Sequence, residues 1–137
     1  MFEHVVVGAT DSESGTRAVR RALELVRASG GTLHVVAALA PKEGPAPSVP
    51  EEFRYTDAGA GQADWVLSQA RAHAGEAQIR VTTHPVLADP VQALTKVAAE
   101  ERADLIVVGC GHHGDDRRLS GIDQAVMDRA DCAVLVV

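Results

Sequence analysis

Hydrophobic and polar positions along this chain switch repeatedly between a short apolar run and a helical stripe. Residues 4–8 (HVVVG) form a brief β-branched run and predict a buried strand. Over 12–29, Ala18, Val19, Ala22, Leu23 and Val26 share one helical face, while Arg17, Arg20, Arg21, Glu24 and Arg27 take the rest. That pattern predicts an amphipathic helix. Thr10-Asp11-Ser12-Glu13 offers a capping box at its start, and Gly30-Gly31 ends it. Residues 32–39 (TLHVVAAL) predict a second strand. Residues 41–58 hold Pro41, Pro45, Pro47 and Pro50 with no clean period, so a long loop is expected. A second helix is predicted over 60–74, anchored by Trp65. A third strand follows over 79–86 (IRVTTHPV). Pro90 suits the first turn of a third helix, 90–101, with Val91, Leu94, Val97 and Ala98 inward. Residues 104–109 (DLIVVG) predict a fourth strand, 121–130 a short fourth helix, and 132–137 (CAVLVV) a fifth strand. No internal repeat stands out.

Alternating β-branched strands and helices imply an α/β fold, a parallel sheet covered on both faces by four helices. Residues 1–137 make one domain of ordinary size. Open sheets of this kind bind ligands at the carboxyl ends of their strands, where the winding reverses. The loops with unusual residues at those ends are 8–14 and 109–121. They flank one crevice only if the strand order is 3-2-1-4-5, which periodicity does not establish.

Composition narrows the function. The chain is 46% hydrophobic but only 3% aromatic, so its core is Val, Leu, Ile and Ala. A net charge of −6 argues against a nucleic-acid partner, which would need a basic face. The scarcity of aromatics argues against a base-stacking single-strand binder. No apolar run reaches the roughly 18 residues of a membrane span. The start, Met1-Phe2-Glu3-His4, lacks the basic region of a signal peptide, so a cytoplasmic location is expected.

The stretch VVGCGHHGDDRRLSGIDQAV, residues 107–126, carries most of the candidate chemistry. Gly111, Gly114 and Gly121 permit close backbone approach, and a helix starting at Gly121 presents unpaired N–H groups and a partial positive charge. Arg117 and Arg118 could pair with phosphate, whereas Asp115 and Asp116 would repel it unless they point away. Two readings stand: a phosphate-holding loop, and a turn whose charges are merely solvated. His112 and His113 are adjacent, and neither HxxxH nor HxH spacing is present, so no metal is expected. Ser12, Ser14 and Ser120 lack a G-x-S-x-G setting, and no catalytic residue is assigned. If the fourth and fifth strands are parallel neighbours, Cys110 and Cys132 lie at opposite sheet ends. Five residues at about 3.3 Å each put them roughly 16 Å apart, too far for the ~7 Å a disulfide tolerates.

The stretches VVVGATDSESGTRAVRRALEL, LADPVQALTKVAAEERADLIVVG and GIDQAVMDRADCAVLVV together resemble the universal stress proteins, over nearly the whole chain. The resemblance implies a Rossmann-like, doubly wound sheet of five parallel strands in the order 3-2-1-4-5, and a role in stress survival rather than metabolic catalysis. Many members bind ATP or AMP through the pattern G-x2-G-x9-G-[ST]; others lack it and bind none. Here Gly111 and Gly121 keep the nine-residue spacing, but only Cys110 separates Gly109 from Gly111, and Ile122 replaces the Ser/Thr. Ala9, Thr10 and Asp11 fall where the family contacts adenine and ribose, with Asp11 retained, and Ala38 falls near an adenine-contacting position. The implied nucleotide site is therefore Ala9, Thr10, Asp11, Ala38, Val108, Gly109, Gly111, Gly121, Ile122 and Asp123. In this order the last strand, Ala133, Val134, Leu135, Val136 and Val137, is an edge without Lys or Pro to guard it. It is the expected homodimer interface, as in the family. The alternative function is a dimeric interaction module that binds no nucleotide.

Overall fold

Most strands form where valine, isoleucine or leucine cluster. The structure is a computed structural model and describes residues 2–10, 12–38, 57–109 and 121–137. The elements run β1 (His4–Gly8), α1 (Glu13–Ser29), β2 (Thr32–Ala38), α2 (Asp57–Glu76), β3 (Arg80–Val86), α3 (Pro90–Glu100), β4 (Leu105–Val108), α4 (Gly121–Arg129) and β5 (Ala133–Val136). All strand pairs are parallel, and the order is β3-β2-β1-β4-β5. The family-like order expected from the resemblance is thus the one adopted.

The two-residue period of each strand divides the core into two layers. Val5 and Val7 of β1, Leu33 and Val35 of β2 and Val107 of β4 pack with Ala18, Ala22 and Val26 of α1 and Leu67 and Ala70 of α2. Val6, Val36, Ile106 and Val108 point the other way, onto Ala93, Leu94 and Val97 of α3 and Val126 of α4. Helices α1 and α2 therefore cover one face, α3 and α4 the other. The winding reverses after β3, so β1 and β4 become neighbours, with Val5 opposite Leu105 and Val7 opposite Val107.

Local details depart from the sequence expectations in three places. Helix α1 is capped by Ser12, whose Oγ accepts from Gly15 N–H at 3.1 Å, and not by a box from Thr10 to Glu13. Glycine at the third helical position has no side chain to reciprocate. Helix α2 begins at Asp57, inside the predicted loop 41–58; the rest of that loop, up to residue 56, lies outside the described residues. Trp65 is 55% exposed and does not anchor α2. Leu67, Ala70 and Ala74 do so, at the three- and four-residue spacings of one helical face, from which Trp65 is turned by two residues.

The amino ends of the strands are fastened by a carboxylate. Asp104 Oδ2, just before β4, accepts from the backbone N–H of Glu3 at 2.7 Å and of His4 at 3.0 Å. Its own N–H donates to His4 O at 2.8 Å. These backbone donors hold the Asp104 carboxyl below its ordinary pKa, aided by the charges of His4 and the amino terminus, and only desolvation opposes them.

Candidate functional site

The switch point lies at the carboxyl ends of β1 and β4. There the chain leaves β1 through Ala9 and Thr10 toward α1, and leaves β4 through Gly109 toward α4. Ala9 is 6% exposed, and its N–H donates to Val36 O at 2.8 Å, which holds the β1 exit against β2. Gly8 sits over Leu94 of α3, where a Cβ would make ordinary contact at 3.4 Å. Ala38 ends β2, paired with Val86 of β3. Val108 is buried at the end of β4, and its carbonyl accepts from Val137 N–H at 3.0 Å.

The crevice wall closes at two glycines. A Cβ on Gly109 would lie 2.2 Å from Ser14 O and 2.6 Å from Ser14 C, so the β4 exit touches the first turn of α1 directly. A Cβ on Gly15 would lie 2.9 Å from both Thr10 N and Thr10 O. Lacking a side chain, Gly109 lets the β4 exit approach the first turn of α1 as backbone on backbone, and Gly15 lets that turn lie against the β1 exit at Thr10. Three hydroxyls follow in a chain: Thr10 Oγ1 to Ser12 Oγ at 2.6 Å, and Ser12 Oγ to Ser14 Oγ at 3.2 Å. They stand at the positive end of the seventeen-residue α1.

The second helix end at the site is that of α4. Gly121 and Ile122 open it, and Asp123 follows, 2% exposed and engaged within the fold. A carboxylate in a first turn complements the helix dipole. Asp11, Cys110, Gly111, the two histidines, Gly114, Asp115, Asp116, Arg117, Arg118 and Ser120 lie outside the described residues. The structure therefore brings together Ala9, Thr10, Val108 and Gly109 at the ends of adjacent strands, with Ala38 two strands over from β4.

A cavity of about 390 Å³ also reaches this end of the sheet. Ala9 and Thr10 line one end of it, and it continues between α1 and α2 past Leu23 and Trp65 to His73 and Ile79. Its walls are mostly carbon, which suits a ligand with an apolar, planar part.

Sequence reasoning misses the hydroxyl chain, because it reads Thr10 and Ser12 as part of a helix start and Ser14 as a nucleophile candidate. The alternation T-x-S-x-S immediately after a strand was the available signal. It also missed a row of histidines crossing the sheet under α3. His4 Nδ1 lies 3.2 Å from His34 Nε2, and His34 Nδ1 lies 3.1 Å from His84 Nε2. Burial lowers the pKa of His34; the neighbouring charge of Glu101 raises it, and His84 and His4 lower it. Cys132, a free thiol just before β5, is half-buried, and burial first, then Asp104 and Asp131, pushes its pKa up. That disfavours the thiolate.

Comparison with known proteins shows a family. The model described as the Universal stress protein family matches residues 1–137. A universal stress protein of Mycobacterium tuberculosis (strain H37Rv) is 33% identical over 141 residues, covering 99% of this chain and 96% of the relative. A solved universal stress protein in complex with cAMP is 31% identical, with a TM-score of 0.73 and 99% and 96% of the two chains covered. UspA from Lactobacillus plantarum superposes with a TM-score of 0.82 at 16% identity, over 98% of this chain and 97% of that one. A universal stress protein from Archaeoglobus fulgidus in complex with dAMP gives 0.74 at 22% identity, over 99% and 97%.

Proposed function

This chain belongs to the universal stress protein family, and from that premise we propose that it binds an adenosine monophosphate, AMP or cAMP ahead of ATP, where β1 and β4 end side by side. The observation that carries this is the backbone contact of Gly109 with Ser14, which joins the β4 exit to the first turn of α1 in one wall beside two helix N-termini. Such a wall presents N–H groups and partial positive charge to an anion. The 31%-identical structure that holds cAMP supports the same reading.

The number of phosphates follows from what the glycine pattern lacks. Gly109 and Gly111 are one residue too close for the G-x2-G-x9-G-[ST] pattern, so the loop has one backbone donor fewer for a phosphate chain, and Ile122 supplies no hydroxyl. A single phosphate needs fewer donors. Thr10, Ser12 and Ser14 offer hydroxyls from the opposite wall, and Arg117, Arg118, Gly111 and Gly121 are the candidates on the loop side. Asp11 is assigned to the ribose hydroxyls, Ala9 and Ala38 to the base, and Val108, Ile122 and Asp123 to the floor and the α4 end. Binding would report nucleotide state in a stress response rather than turn over a substrate.

The proposal includes a homodimer through β5, in a cytoplasmic setting. The sheet has two edges, β3 and β5. Pro85 and the exposed Arg80 guard β3, whereas β5 carries no such device and leaves Leu135 37% exposed. Two copies of β5 could pair antiparallel about a two-fold axis. The second reading, a dimer that binds no nucleotide, draws on the same missing residue and missing hydroxyl.

Calorimetric titration of the intact chain with AMP, cAMP and ATP tests the site. AMP or cAMP binding that is at least tenfold tighter than ATP, and weakened in Gly121→Val, is expected. Binding of none of the three, or tighter binding of ATP, would overturn it.

A further inference from the structure

We propose that His34, His84 and Glu101 form a binding site for a divalent transition metal of the zinc class, apart from the nucleotide crevice. One ligand atom from each residue lies within 4.8 Å of those of the other two. The three come from β2, β3 and the residue that caps the carboxyl end of α3. His34 is 3% exposed, under α3 and against the sheet.

The spacing is what a metal asks for. Zinc held at about 2.0–2.1 Å in a tetrahedron sets its ligand atoms about 3.3–3.4 Å apart. His34 Nδ1 and His84 Nε2 are already 3.1 Å apart. An ion replacing the proton between them would need only a small opening of the pair. Two imidazoles and one carboxylate are a donor set that zinc accepts, with the fourth position left to water.

The surroundings fit as well. A metal-bound histidine usually donates its other ring N–H to an acceptor, which fixes its tautomer. His34 Nε2 lies 3.2 Å from His4 Nδ1, so a ring that binds metal through Nδ1 can donate to His4. Burial favours the neutral imidazole that a ligand must be. Glu101 brings the negative charge that two neutral histidines lack. A cavity of about 430 Å³, lined by Thr83, His84, Lys96, Val97 and Glu100, gives an ion a path to His84.

The test uses the intact chain, stripped with a chelator and titrated with Zn2+ by calorimetry, and with Co2+ by visible absorption. One zinc per chain, tetrahedral Co2+ bands, and a loss of at least tenfold in affinity in both His84→Ala and Glu101→Gln are expected. Both variants alter half-buried residues, so they keep the test independent of whether the buried His34→Asn folds. His4→Ala should weaken zinc by roughly tenfold or more through the lost acceptor. His112→Gln/His113→Gln should leave zinc binding unchanged. Absence of zinc binding overturns the proposal. So does affinity retained in His84→Ala and Glu101→Gln, or affinity lost only in the His112/His113 variant, which would place the ion on that loop.

Discussion

Replacing Gly109 with alanine should destabilise this protein, although alanine has the lower entropy cost on folding. The added Cβ would lie 2.2 Å from Ser14 O and 2.6 Å from Ser14 C. Both are backbone atoms in the first turn of α1, so no flexible side chain can swing aside. Gly109 does not occupy the left-handed region, which among the described glycines only Gly30 does, so sterics alone set the cost. Forcing extra volume against backbone belongs at the upper end of overpacking penalties, about 3 kcal/mol. The stiffer unfolded chain returns about 0.4–1 kcal/mol. The net loss is about 2 kcal/mol, or a fall in Tm of roughly 8 °C at about 4 °C per kcal/mol for a domain of this size. Gly75→Ala is the control, because a Cβ there meets nothing within 4 Å. It should raise Tm by roughly 2–4 °C through the unfolded-state term alone. Thermal unfolding followed by circular dichroism measures both. Equal, positive shifts in the two variants would mean that Gly109 and Ser14 do not touch, and the joined wall of the crevice would go with them.

Three further outcomes follow from other parts of the fold. Ile122→Ser should tighten ATP by tenfold or more, since a hydrogen bond to a charged group is worth about 1.5–3 kcal/mol; unchanged affinity by calorimetry would count against the missing hydroxyl. Val136→Pro should convert a dimer to a folded monomer by light scattering, because Val137 N–H faces β4 and the alternation turns Val136 N–H to the free edge; a proline variant that stays dimeric excludes this strand. The Asp104 carboxyl is held below its ordinary value in the folded state, so its stabilisation is fully present above that value and is lost as pH falls through the depressed one. Chemical denaturation of wild type and Asp104→Asn should therefore differ by a constant amount near neutral pH and converge as pH falls below the ordinary carboxylate value, and a gap that widens on acidification would reverse the sign.

Much of the architecture was written in local pattern. The strand and helix positions followed from valine runs and from Ala18, Ala22 and Val26, because periods of two and 3.6 are read from neighbours along the chain. Strand order was not, since it depends on which face each crossover takes, and only the resemblance supplied it. Trp65 misled because size suggested an anchor where phase decided: Leu67, Ala70 and Ala74 hold the buried face. The Gly109–Ser14 contact joins the exit of β4 to the first turn of α1, and no spacing in one dimension encodes it. The same holds for His34, His84 and Glu101, which come from three elements, while adjacent His112-His113 drew attention for being adjacent.

Amide chemical shifts test the proposed nucleotide crevice most directly. In a titration of the 15N-labelled chain with AMP, the amides of Gly8, Ala9, Thr10 and Gly109, and those of Gly121, Ile122 and Asp123, should move together and saturate together. Amides along the far end of the α1–α2 cavity, such as Leu23, His73 and Ile79, should stay in place. Shifts confined to Leu23, His73 and Ile79, or none at saturating AMP, would contradict a nucleotide crevice between β1 and β4.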